Sequence, residues 1–373
     1  MKITIVGAGP RGLSVALYAL YKCHKVTLID PSPLHTWTSN YLIEDLQMRS
    51  PLTFDLVTYL EELQEFSLNK YLEYNLPFTN NQTAIESCDI KVNREDFCSY
   101  LEWVLQYLLD NKVKLVKQTV TSVQGNTVNL ANGKSIKGDA VVFCIGYKGK
   151  DNIPSWIKNT SLKDRVIKLN NILQKPKDYF NKKWLVLGSG QGAAEQVNYF
   201  SSKLTGEVTW VIKKEPKLNQ YPAPNYKEWG TKSALGSYYK SLTNYKDRLN
   251  YLNKVKQWQP SITSYIASKL KNTNFKKLIV KDYSEVINVE VDYISLVAGL
   301  VPSLNSLPLE VNTNAYIANF PDITNNFKLN YADANWYVSG ILATAYDGPR
   351  QHSLISAGIT AKEIIKDIEH DNI

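Results

Sequence analysis

A pattern that occurs twice constrains this chain more than any other feature: a short apolar strand runs straight into a glycine-rich turn, and a helix follows. In the first copy Lys2–Val6 reads as the strand and Gly7-Ala8-Gly9-Pro10-Arg11-Gly12 as the turn. Ser14–Tyr21 reads as the helix, Lys25–Ile29 as a second strand, and Asp30 ends it. Gly7 permits the tight turn, Gly9 lets a pyrophosphate approach the backbone, and Gly12 lets helix and strand pack closely. The helix N-terminus then presents unpaired N–H groups and a positive dipole end to the phosphates. Asp30 follows Gly7 by 23 positions, where an acid binds ribose hydroxyls.

The second copy has the same grammar and the opposite charge. Lys183–Leu187 is its strand, and Gly188-Ser189-Gly190-Gln191-Gly192-Ala193 its turn, with alanine (Ala193) an accepted third position. A helix is expected from about Ala194 to Lys203, and the next strand, Val208–Ile212, ends in Lys213-Lys214 instead of an acid. Cations there suit a 2′-phosphate, which an acid would repel. The first site therefore points to FAD or NAD and the second to NADPH.

Two more apolar strands end in glycine: residues 139–146, closing at Gly146, and 292–299, closing at Gly299. A third, Asn335 to Gly340, precedes Asp347-Gly348-Pro349 and a helix from about Ser353 to Glu369, whose N-terminus could face the pyrimidine end of a flavin. The expected class is α/β, with two Rossmann-like dinucleotide-binding domains (FAD and NADPH) and a small helical substrate insertion. The expected boundaries are 1–150 and 285–373 for the FAD domain, 151–215 with part of 276–290 for the NADPH domain, and 216–275 for the insertion.

Composition closes off other classes. With 373 residues, 44% apolar and 21% charged, the chain suits two or three folded domains and excludes wholesale disorder. No run approaches the roughly 18 apolar residues of a membrane span. The first glycine arrives before a signal-peptide h-region could form, so a cytoplasmic location is expected. Cys23, Cys88, Cys98 and Cys144 form no CxxC pair, against a zinc ribbon or a disulfide redox centre, and no metal is expected. The net charge of +8 is uneven: from Lys203 to Asp282 sixteen Lys and Arg face five Asp and Glu. That segment is a solvated lysine-rich surface or a surface for phosphates, nucleic acid or an acidic carrier protein. Two intact glycine fingerprints make nucleic-acid binding the weakest of these. Neither a homo-oligomer nor a carrier-bound substrate conflicts with the sequence.

Taken in order, these motifs resemble the two-domain flavoproteins and, among them, the lysine/ornithine N-hydroxylating monooxygenases of siderophore biosynthesis. Trp37, Leu46-Gln47 and the run Phe54 to Leu60 resemble that family's stretch after the flavin-binding acid. Asn93 to Trp103 resembles its arginine–acid–Phe–Tyr–Leu–Trp helix. Tyr221 to Glu228 stands at its Pro-Phe-x-Asn-Glu segment, and Asp347-Gly348 through Leu354-Ile355-Ser356 resembles its terminal motif. The resemblance implies FAD, NADPH and O2, with reduced flavin forming a C4a-hydroperoxide that hydroxylates a nucleophilic nitrogen. It implies cofactor contacts from Trp37, Gln47, Gly146, Ser189, Gln191, Gly340, Asp347 and Gly348 besides the glycines, Asp30 and the two lysines. Arg49, Tyr226, Lys227 and Ser356 are the candidate substrate anchors.

The chain departs from that pattern at three places. Lys227 stands where the family has asparagine, no lysine stands near Asp55, and a strand end reads Val297-Ala298-Gly299-Leu300. A substrate other than simple ornithine is expected, with an acidic group reaching Lys227 or Arg49. Any amine must react neutral although its free pKa is near about 10.4, so the pocket must desolvate it or set cations beside it. Oxidation of sulfur or carbon by the same cofactors, or a flavoprotein reductase, uses the same glycine motifs.

Overall fold

The structure is a computed structural model. It describes the chain except residues 35–42, 76–91, 147–148, 152, 220–240, 243–245, 249, 252–260, 298–299, 303–307, 309–315, 318–319, 331–333, 349–350, 352 and 372–373. Two parallel sheets organise it. The first takes β1 (Lys2–Val6), β2 (Lys25–Ile29), β3 (Lys114–Val116), β4 (Ala140–Phe143) and, from near the C-terminus, the strand Trp336–Val338. Their spatial order is Trp336–Val338, β4, β1, β2, β3, with every pairing parallel. Since β1 is central and the chain departs from it to one side, its C-terminal end lies at the switch point where open α/β sheets bind ligands.

Helix α1 (Pro10–Tyr21) starts at the first glycine turn, with proline in its first turn and Gly9 as N-cap. Helix α2 (Arg94–Asp110) and a C-terminal helix (Ala357–His370) also pack in this first fold. The α2 motif is largely structural. Phe97, Tyr100 and Leu101 are buried, and the Tyr100 hydroxyl donates to the Phe66 carbonyl at 2.8 Å.

The second sheet contains β5 (Lys183–Leu187), β6 (Glu207–Ile212), the short strand Lys276–Ile279 and the strand Tyr293–Leu296. All three pairings are parallel, in the order Lys276–Ile279, β6, β5, Tyr293–Leu296. Strand alternation puts Trp184 and Val186 in one core, against α3 (Gln191–Ser202), and Leu185 and Leu187 in the core on the other face. This corrects one expected boundary: Tyr293–Leu296 bonds to β5, so it belongs to the second fold and not to a first-fold segment 285–373. The insertion expected as helical also differs at its ends. Lys217–Asn219 pairs with Ser261–Thr263 as parallel strands, and Ile262, Ile266 and Leu270 sit in the second core. Burial of those apolar side chains against α3 claims the segment for the nucleotide fold.

The run Phe54 to Leu60 is a clamp. Ser14 Oγ on α1 donates to the Leu56 carbonyl at 2.6 Å, and a Cβ on Gly358 would lie 2.7 Å from the Thr58 carbonyl oxygen. Asp55, buried, accepts the N–H groups of Val57 at 2.9 Å and Leu68 at 2.8 Å. Desolvation lifts its carboxyl to about 6, against the pull of those N–H groups. The folded state thus binds this proton more tightly than the unfolded chain, whose value is near 3.8. The stability it contributes is complete below about 4 and is lost as pH rises through about 6. Relative to Asp55→Ala, the native chain should gain about 1 kcal/mol between pH 7 and pH 5 in denaturant unfolding. A gap that stays constant or narrows would mean Asp55 is ionised throughout.

Candidate functional site

Both glycine turns have the geometry of phosphate cradles. Gly7 has φ +105°, and a Cβ there would strike the Cys144 carbonyl at 2.4 Å; Gly188 has φ +145° and would meet the Val297 carbonyl at 2.5 Å. A Cβ on Gly12 would stand 1.9 Å from the Gly7 oxygen. Gly9 and Gly190 differ from these, since nothing lies within 4 Å of a Cβ at either position. Each is also the N-cap of its helix and provides no side-chain cap, so the N-terminal ends of α1 and α3 begin beside that open space. Three glycines hold backbone together and two leave room for a ligand. That is the division a bound pyrophosphate requires.

Around the first turn, Asp30 uses its two carboxylate oxygens locally. Oδ2 accepts the Ala8 N–H of the turn at 2.8 Å and Oδ1 accepts the Ser32 N–H at 2.9 Å. It stands beside the turn, as a ribose-binding acid must. Arg11, which sequence reasoning passed over, ties the turn to the C-terminal segment. Its Nη2 donates to the Gln351 carbonyl at 3.1 Å, to the Ser353 carbonyl and to Ser356 Oγ at 2.9 Å. Ser356 is buried against Arg11 at this junction. Gln351 continues the network: its Nε2 donates to Asp347 Oδ2 at 2.5 Å and Thr360 Oγ1 at 2.9 Å, and its Oε1 accepts the Gly340 N–H at 3.2 Å. Gly340, Asp347 and Gly348 are thus brought to one buried cluster next to the first turn. Gly146 lies just beyond β4, exposed, with φ +67°.

The second turn is fixed by the first fold. Gln191 donates to Glu195 Oε1 at 2.9 Å, and its Oε1 accepts the Thr263 N–H at 2.8 Å. The same Glu195 oxygen accepts Arg94 Nη2 from α2 at 2.6 Å, and the Glu195 side chain is only 7% exposed. Ile43 and Leu46 add an apolar joint by entering the second core. Gln47, half-buried, forms a bridge with Asn93 beside it.

At the end of β6, Lys213 and Lys214 are exposed. Lys213 Nζ pairs with Asp282 Oδ2 at 2.9 Å and lies 4.8 Å from the centre of the Tyr283 ring. Its N–H donates to Ser189 Oγ at 3.2 Å. The Ser284 N–H, first, and then Lys213 hold the Asp282 carboxyl well below the usual carboxylate range. Arg49 is exposed and donates to Ser261 Oγ at 2.8 Å, at the base of the basic segment. Trp37, Tyr226 and Lys227 lie outside the described residues. Among the described residues no group of three or more His, Cys, Asp and Glu is placed to hold a metal, and no helix is long and apolar enough to cross a membrane.

Two parallel dinucleotide folds, each with an open cradle at the end of its first strand, define the architecture of a protein built to bind two dinucleotides. More narrowly, the chain belongs to the L-lysine 6-monooxygenase/L-ornithine 5-monooxygenase family, whose model matches residues 1–292. It is similar to the solved ornithine N-hydroxylase of Kutzneria sp. 744, with reduced FAD, NADP+ and L-ornithine: 16% identity, 100% of this chain and 99% of that one, TM-score 0.78. It is likewise similar to the FAD-bound cadaverine monooxygenase of desferrioxamine biosynthesis from Erwinia amylovora: 15% identity, 99% and 94% coverage, TM-score 0.77. At these identities the likeness is one of fold. A shorter match, 27% identical over 155 residues, is to the chloroplastic neoxanthin synthase of Solanum lycopersicum. It covers 39% of this chain and 28% of that protein.

Proposed function

We propose that this chain is an FAD- and NADPH-dependent monooxygenase that uses O2 to hydroxylate the nitrogen of a small primary amine, such as an amino acid or a diamine. The observation that carries this is the pair of open cradles at Gly9 and Gly190 within a member of an N-hydroxylating family. FAD supplies the oxygen chemistry when bound. The first turn and the α1 N-terminus would hold its pyrophosphate and Asp30 its ribose, while the second turn and α3 would hold the nicotinamide nucleotide. The Arg11–Gln351–Asp347 network fixes the C-terminal segment against the first turn, which orients the flavin end of that site. The Arg94–Glu195–Gln191 chain sets the second turn against the first fold, and hydride delivery requires that relation to be reproducible.

Substrate choice belongs to the basic segment. Arg49 bonds to its base, and a cation at Lys227 would attract a carboxylate while disfavouring an ammonium nearby, which helps keep an amine neutral. The test is NADPH oxidation by flavin-loaded protein across diamines, amino acids and thioethers, scored together for hydroxylated product and released peroxide. Coupled N-hydroxylation of at least one amine is expected, and Lys227→Asn should shift preference toward ornithine and lysine. Coupled thioether oxidation with every amine giving only peroxide would overturn the assignment.

A further inference from the structure

The end of β6 carries a charge that its own sequence does not show. Lys213 and Lys214 are suited to a 2′-phosphate, yet Asp282 reaches Lys213 from 69 residues later in the chain. Asp282 is held there on its own account. Its Oδ1 accepts the Ser284 N–H at 3.0 Å and the Ser284 hydroxyl at 2.8 Å, while its own N–H donates to Glu285 Oε1 at 2.7 Å. Ser189, the second residue of the glycine turn, bonds to the Lys213 N–H, so the pair sits at the lip of the cradle. An acid at this place in a dinucleotide fold accepts from the ribose hydroxyls and repels a phosphate on them.

We propose that Asp282 is a specificity-determining residue for the pyridine nucleotide, its carboxylate occupying the Lys213 ammonium that a 2′-phosphate would otherwise claim. The inference rests on the second fold being the nicotinamide-nucleotide site. NADPH then binds by displacing Asp282 from Lys213, whereas NADH leaves the pair intact and can bond to the acid through its 2′-hydroxyl. The preference for NADPH is therefore narrower than two lysines alone would give.

The test uses 2′,5′-ADP and 5′-AMP, which differ only in the 2′-phosphate, titrated calorimetrically into the flavin-loaded protein. Asp282→Asn removes the charge and keeps a residue that caps a helix equally well. It should bind 2′,5′-ADP roughly three- to tenfold more tightly, with 5′-AMP affinity changed less than about twofold. The NADPH/NADH ratio of kcat/KM should rise by the same factor. If Asp282→Asn does not fold, Asp282→Ser keeps a capping oxygen without the charge and answers the same question. Should both probes bind and the charge-removing variant leave their affinity ratio unchanged or lower, Asp282 does not set specificity. Should neither probe bind the unmodified protein, the nucleotide assignment of the second fold fails first.

Discussion

The Gly9→Val variant should purify folded and colourless, while the native chain purifies yellow with FAD. Gly9 and Gly12 stand three positions apart in the same turn and have opposite surroundings. Nothing in the protein lies within 4 Å of a Cβ at Gly9, so valine there meets no protein atom through that carbon and enters the space left for a pyrophosphate. At Gly12 the same added carbon would stand 1.9 Å from the Gly7 oxygen. Gly12→Ala should therefore fail to fold or aggregate, because a fixed turn and a helix start cannot both stay in place. Flavin content by absorbance, with circular dichroism on each variant, separates the two outcomes. Full flavin occupancy in folded Gly9→Val would refute the cradle.

The second large effect is expected between the two folds. Arg94→Met leaves the Glu195 carboxylate, 7% exposed, with Gln191 alone. Stranding one partner of a largely buried pair destabilises by several kcal/mol, here about 2–4 because Arg94 retains some exposure. Arg94→Met/Glu195→Gln removes both charges and keeps the Gln191 contact within reach, so it should recover more than half of that loss. Urea midpoints of the single and double variants measure it. A single variant within about 0.5 kcal/mol of the native chain would place the joint in Ile43 and Leu46 instead.

The strand–turn–helix units were legible because every signal in them is local. Lys2–Val6, Lys25–Ile29 and Lys183–Leu187 have the bounds their apolar runs indicate, and the helices begin three residues earlier than expected or more, at Pro10 and Gln191. That shift has a physical cause: the glycine at the N-cap is followed at once by helical backbone, so the turn's last residues already belong to the helix. Family resemblance also picked out Phe54 to Leu60 and the α2 motif, whose apolar side chains are mostly buried and whose Leu56 carbonyl and Tyr100 hydroxyl bond within the first fold.

From its own residues, then, the sequence determined two α/β dinucleotide folds, the open positions at Gly9 and Gly190, and the cations at the end of β6. Only the tertiary structure decided what meets them. Arg11 reaches residues 340 or more positions away, Arg94 reaches Glu195 across 101, and Asp282 reaches Lys213 across 69. It likewise moved Tyr293–Leu296 into the second sheet. Strands, turns and helices repeat along the chain with periods that a sequence displays, because backbone geometry fixes them. A single side-chain pair between distant segments has no period. Its partners become neighbours only when sheets stack and helices dock, so the charge a ligand meets at Lys213 is a property of the fold.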